Sequence, residues 1–194
     1  MTKLYFVRHA QPDYRRGVNN TFALSEEGMK DRMKAFEALS DIRFDAAVSS
    51  PYRRSLDTIE PIVSAQGLTV KTDIRLRERD NPGGNSNTHE MFRKRWADFS
   101  FHEEGGESLG STQKRNVAAV FDMLNEYKDK TVLVGTHGTA LSTIINYFEP
   151  SFLCEQFFRI INFMPYVIRL DFDGEKYLGK EELTYVQKEF HGVK

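Results

Sequence analysis

Two stretches of this 194-residue chain end alike. Lys3-Leu4-Tyr5-Phe6-Val7 runs into Arg8-His9, and Thr131-Val132-Leu133-Val134-Gly135 runs into Thr136-His137-Gly138. Each is a short run rich in β-branched and aromatic residues with a histidine just beyond it. That pattern predicts a buried strand delivering an imidazole to its C-terminal tip. Open α/β sheets bind ligands beyond the C-terminal ends of their strands. Two histidines from distant parts of the chain are therefore expected to face one pocket.

The intervening sequence supports a parallel sheet. Ser25 is placed to cap a helix over 26–39, with Glu26 and Glu27 in its first turn and Met29, Met33, Phe36 and Leu39 at helical spacing. Residues 45–49 read as a second strand. Pro51 then opens a helix carrying Leu56, Ile59 and Val63 on one face, and Gly67 stops it. Residues 68–72 read as a third strand. Strand, helix, strand, helix, strand predicts parallel pairing through right-handed crossovers. A long helix over 108–127 leads into the strand at 131–135, and a helix over 139–148 follows. Residues 157–161, 167–172 and 176–178 read as strands, the last two forming an edge hairpin around Asp173-Gly174. The tail at 181–194 receives no assignment. Between Arg77 and Gly106 the pattern changes: Asn81-Pro82-Gly83-Gly84-Asn85 breaks the chain, a helix carries Phe92, Trp96 and Phe99, and Glu104-Gly105-Gly106 follows. This stretch reads as a cap insertion over one end of the sheet, within a single domain spanning 1–194.

Composition narrows the partners. A net charge of −1, from 27 basic and 28 acidic residues, gives no bulk attraction to nucleic acid or anionic membrane. No apolar run approaches the roughly 20 residues of a spanning helix, and a strand by residue 3 leaves no room for a signal peptide, so a cytoplasmic protein is expected. Cys154 is the only cysteine, which excludes an intramolecular disulfide and fits a reducing compartment. Among Phe152, Leu153, Phe157 and Phe158 it reads as a buried structural thiol.

Three further segments add chemistry to the histidines. Ser49-Ser50-Pro51-Tyr52-Arg53-Arg54-Ser55 joins a strand end, a helix N-terminus and two arginines, a ready anion site. Leu76-Arg77-Glu78-Arg79-Asp80 offers carboxylates just past another strand. Gly106-Glu107-Ser108 begins the long helix beside the proposed cap. In this arrangement the chain closely resembles the histidine phosphatase superfamily, of phosphoglycerate-mutase-like fold. That family's Arg-His-Gly signature appears as Arg8-His9-Ala10, and its Ser-Ser-Pro-x-x-Arg-Ala-x-x-Thr pattern spans Ser49 to Thr58. Its Leu-x-Glu, Gly-Glu-Ser and second His-Gly segments match Leu76 to Glu78, Gly106 to Ser108 and His137-Gly138. Leu24-Ser25-Glu26-Glu27-Gly28 also resembles the usual start of the family's first helix.

The resemblance implies an α/β three-layer sandwich, with helices on both faces of a mostly parallel sheet. It also implies a phosphomonoester hydrolase that needs no cofactor or metal and acts on a small phosphorylated substrate through a phosphohistidine. A phosphoglycerate mutase is the alternative within the family. A catalytically silent phospho-ligand-binding protein is the alternative outside it.

The residue roles follow from phosphoryl chemistry. A neutral imidazole attacks phosphorus through one nitrogen when an acceptor holds the proton on the other, and His9 is the expected nucleophile. The transferring group spreads negative charge over three oxygens, so positioned cations are needed, and Arg8, Arg54 and His137 are the candidates. Neighbours on a helix point about 100° apart, so only one of Arg53 and Arg54 faces the pocket. The family register selects Arg54. A leaving alkoxide needs a proton, which a carboxyl beside the bound phosphate gives before taking one from the attacking water. Register assigns that to Glu78, with Asp80 the rival. Arg77, Arg93, Lys94 and Arg95 are candidates for a second anion site of the kind a mutase needs. Ala10 stands where the family has glycine and is expected to keep its backbone N–H for phosphate. Arg15 stands at the family's phosphate-contacting asparagine, either taking over that contact or serving as a loop charge. Packing or surface roles are expected for His89, His102 and His191.

Overall fold

Residues 1–15, 18–81 and 87–189 are described by the computed structural model, so His191 and Pro82 to Asn85 lie outside the described residues. Strands β1 (Thr2–Arg8), β2 (Ala46–Ser49), β3 (Val70–Thr72), β4 (Thr131–Thr136), β5 (Phe163–Asp173) and β6 (Lys176–Gln187) form one six-stranded sheet in the order β3-β2-β4-β1-β5-β6. The first four pair in parallel, and β5 and β6 add antiparallel to β1 and to each other.

Both faces of the sheet are covered, which is why β1 and β4 are continuous apolar runs. Tyr5, Val7 and Leu133 pack with Ala35, Leu39, Ile59 and Ile62 from α1 (Glu26–Leu39) and α2 (Arg53–Gln66). Leu4, Phe6, Val132 and Val134 pack on the other side with α4 (Leu109–Glu126) and α5 (Gly138–Phe148). Ser25 caps α1 by accepting from Gly28 N at 3.0 Å, and Gly67 closes α2 at φ 62°, a left-handed conformation that costs glycine little.

Register brings the two histidines together. Arg8 pairs with Thr136 across β1 and β4, and His9 N donates to Thr136 O at 3.1 Å. His9 and His137 thus leave adjacent parallel strands at the same level.

The C-terminal third departs from expectation. Residues 157–161, read as a strand, form the last turn and C-cap of helix α6 (Cys154–Ile160). Gln156 Oε1 accepts from Leu153 N at 2.9 Å at the start of that helix, and Phe157 and Ile160 bury themselves at helical spacing. A short apolar run fits either period, and here tertiary packing decides. Helix α3 (His89–Ala97) supplies that packing, with the Phe92 and Trp96 rings 5.1 and 5.5 Å from Phe157. Cys154 is half-buried on α6 rather than enclosed. The last strand runs to Gln187 instead of ending at 178, after a turn with Gly174 at φ 58°. Lys180, Glu181 and Glu182 on this edge discourage pairing with another chain. Beyond it Lys188 pairs with Glu27 of α1 at 2.6 Å. No helix among the described residues is long and apolar enough to cross a membrane.

Candidate active site

His9 is buried at the tip of β1, and its Nδ1 lies 2.8 Å from Ala10 O. A carbonyl only accepts, so Nδ1 carries the proton and Nε2 keeps the lone pair. Burial, then the charges of Arg54 and Arg8, push the His9 pKa well below the ordinary 6.5, and the ring is neutral. The His137 ring lies 5.2 Å away between centroids and is also held well below 6.5, first by burial and then by Arg54. Its Nε2 meets Ser50 Oγ at 2.7 Å, whereas its buried Nδ1 has no protein partner.

Two guanidiniums share this enclosure. Arg8 Nη1 donates to Ile160 O at 2.8 Å, and Arg54 donates to the carbonyl of Asn19 and, at 3.0 Å, to Asn19 Oδ1. The Nε of each is buried with no partner. Burial lowers both pKa values, yet arginine stays protonated in proteins. Buried donors are normally satisfied, so Arg8 Nε and Arg54 Nε, beside the unpartnered His137 Nδ1, define a site suited to an external anion. Tyr52 supports it, its ring 5.3 Å from that of His137 and 5.2 Å from the Arg54 guanidinium. Arg53 instead faces solvent and pairs with Asp57 at 3.4 Å.

Gly138 has a steric reason to be glycine. A Cβ there would sit 2.9 Å from Arg8 Cζ and 3.0 Å from its Nε. Gly138→Ala is therefore expected to move Arg8 and lower kcat/KM by about tenfold or more, roughly the value of one charge-assisted hydrogen bond. Stability should fall by no more than about 1–3 kcal/mol, the usual cost of overpacking a buried site. Kinetics alongside thermal melting check this, and an unchanged kcat/KM would remove Arg8 from the anion site.

Glu78 sits at the N-terminus of α5, the helix whose N-cap is His137. Its Oε1 accepts from Arg79 N at 2.9 Å and Ala140 N at 3.1 Å, and Oε2 accepts from Thr139 N at 3.0 Å. The first-turn amides after His137 thus hold this carboxylate. Asp80 pairs with Arg77 at 3.1 Å, its side chain 48% exposed.

Comparison with known proteins identifies the family. The family model of the histidine phosphatase superfamily, branch 1, matches residues 4–180. This chain belongs to the histidine phosphatase superfamily. Among curated relatives, a glucosyl-3-phosphoglycerate phosphatase of Mycobacterium tuberculosis is 27% identical, over 73% of each chain. A 2,3-bisphosphoglycerate-dependent phosphoglycerate mutase of Brucella ovis is also 27% identical, over 73% of this chain and 79% of the relative. Among solved structures, Bacillus stearothermophilus YhfR superposes with a TM-score of 0.75 at 23% identity, covering 92% of this chain and 95% of that one.

Within this histidine phosphatase, Ala10 N donates to Thr58 Oγ1 at 2.9 Å, so that amide is spent inside the protein and not offered to phosphate as expected. Arg15 is bound to Asp13 at 2.9 Å with its side chain 85% exposed, and the structure does not bring it into the enclosure. Asn19, which the sequence reading missed, holds Arg54 instead. Ser50 and Tyr52 were missed as well, although both lie inside the Ser-Ser-Pro-x-x-Arg segment, where a strand end meets a helix start. His89 packs on Phe158 with centroids 5.0 Å apart, and His102 Nδ1 lies 3.1 Å from Glu103 O. Among the described residues no group of three or more His, Cys, Asp or Glu is placed to hold a metal ion.

Proposed function

We propose that this chain is a phosphomonoester hydrolase that works through a phosphohistidine on His9. The observation that carries the reading is the neutral His9 ring with its lone pair on Nε2, set beside two buried guanidinium N–H donors without partners and the unpartnered Nδ1 of His137. Arg8, Arg54 and His137 hold the phosphoryl oxygens. The Nε2 lone pair forms a bond to phosphorus as the P–O bond to the alcohol breaks, and Glu78, acting as the acid, gives a proton to the leaving oxygen. Water then attacks phosphorus, Glu78 takes its proton, the P–N bond breaks and phosphate leaves.

Hydrolysis is favoured over the mutase reaction because the cations suited to a second phosphate are already paired. Arg93 binds Glu155 at 2.7 Å, Lys94 binds Glu90 at 3.0 Å, Arg95 is buried against Glu103, and Arg77 is held by Asp80 at 3.1 Å. Given 3-phosphoglycerate with a trace of 2,3-bisphosphoglycerate, the protein is expected to release free phosphate faster than it forms 2-phosphoglycerate. The reverse order would establish a mutase.

The substrate class is a small phosphorylated metabolite, with no nucleic acid or membrane engaged, and the working compartment is the cytoplasm. Residues 1–194 act as one unit, with residues 77–106 as the cap. That cap holds five Lys or Arg against six Asp or Glu, so its overall charge selects no substrate. A panel of sugar phosphates, nucleotides, phosphoglycerates and phosphoproteins identifies the substrate by kcat/KM.

A further inference from the structure

Glu78 lies in an irregular segment that no strand pairing fixes, two residues after a short 3₁₀ turn (Ile74–Leu76). What fixes it is Arg115, from the middle of α4. A guanidinium has five N–H bonds, and all five of this one are used. Nε donates to Glu107 Oε1 at 2.7 Å. Nη1 donates to Arg75 O at 2.6 Å and Arg77 O at 2.7 Å. Nη2 donates to Glu78 O at 3.1 Å and Glu107 Oε2 at 2.8 Å. Glu107 completes the clamp from the other side, its Oε2 accepting from Asp80 N at 3.1 Å and its own N donating to Asp80 O at 2.9 Å. The backbone is thus pinned immediately before, at and after Glu78. Burial alone raises the Glu107 carboxyl pKa, but the bonds from Arg115 outweigh it and leave the group below its ordinary 4.5, an ion rather than an acid.

The carboxylate of Glu78 has little freedom of its own. Oε1 accepts two backbone N–H groups and Oε2 one, so of four lone-pair positions only one, on Oε2, remains open for a proton in transit. A single open position makes the carboxyl sensitive to where its backbone sits.

We infer that Arg115, braced by Glu107, is a positioning residue that sets the open Oε2 position of Glu78 at the leaving-group oxygen. The inference rests on the reading of Glu78 as the acid. Lysine cannot replace the fork, because its ammonium has three donors at one point and cannot span three carbonyls and a carboxylate.

The test compares kcat/KM for glycerol 2-phosphate, whose leaving alkoxide needs a proton, with that for 4-nitrophenyl phosphate, whose leaving group does not. Misplacement of a catalytic group by about 1 Å costs on the order of 10²-fold. Arg115→Lys is therefore expected to lower kcat/KM for the alkyl ester by about 30- to 100-fold and for the aryl ester by less than about threefold. In a Glu78→Gln background the same change should add less than about threefold, because the group it positions is gone. Should Arg115→Lys fail to fold by circular dichroism, the double change Arg115→Met with Glu107→Gln, which leaves no buried charge unpaired, is read by the same criteria. Equal losses on both esters, no loss on either, or full additivity with Glu78→Gln would overturn the inference. If Glu78→Gln itself shows no preference between the esters, the acid assignment falls and the positioning role with it. If Glu78→Gln is selective and Arg115→Lys is not, only the positioning role falls.

Discussion

Replacing His9 with alanine is expected to abolish turnover, by about 10⁴-fold or more, because the group that forms the covalent intermediate is removed. His137 is near, its Nε2 engaged by Ser50 and its Nδ1 without a partner, so covalent labelling tests it as the alternative nucleophile. A phosphoramidate is stable in alkali and labile in acid, so rapid quench of the unaltered protein into alkali with ³²P-labelled substrate should retain label on His9. Label retained by His9→Ala would assign the nucleophile elsewhere. The same geometry sets a pH expectation. Because burial and the neighbouring arginines favour the neutral ring, protonation of His9 should enter the kcat/KM profile only well below 6.5. An acid limb at or above 6.5 that shifts in Arg54→Lys would contradict that.

The second large effect belongs to Glu78. Glu78→Gln keeps the acceptor on one side of the group and removes the transferable proton. It is expected to lower kcat/KM for an alkyl phosphate by about 10²-fold or more while sparing 4-nitrophenyl phosphate. The ratio kcat/KM reports steps through release of the alcohol, so any slowing of phosphohistidine hydrolysis does not obscure it. Asp80→Asn should change neither ester by more than a few-fold, since Asp80 is a half-exposed partner of Arg77. A larger effect at Asp80, or equal losses on both esters for Glu78→Gln, would move the acid's role away from Glu78.

The segments that were legible in the sequence are those whose signal is local. Apolar runs ending in Arg8-His9 and Thr136-His137 marked β1 and β4, and Ser25 and Gly67 marked the start of one helix and the end of another. The alternation of strand and helix marked the parallel part of the sheet. Local signal failed where two periods were equally served. Phe157 to Ile161 is apolar enough for a strand, and packing against the rings of Phe92 and Trp96 on α3 selects the helix. The last strand failed for the opposite reason: as a solvent-facing edge it carries Lys180, Glu181 and Glu182, which give no apolar period, and pairing with β5 alone defines it.

The site divides along the same line. By itself the sequence determined which side chains are available to chemistry, because residue type and its place at a strand tip or helix start are encoded within a few positions of each other. Tertiary structure alone decided how each is used. It assigned the proton on His9 through Ala10 O and spent the Ala10 amide on Thr58, 48 residues away. It turned Arg15 outward onto Asp13 and gave Arg54 to Asn19. It also made an unremarked Arg115 the clamp on the backbone of Glu78, 37 residues distant. The physical reason is that donor satisfaction and charge pairing are fixed by distances of about 3 Å through space. Those distances exist only once residues far apart in the chain have been folded against one another.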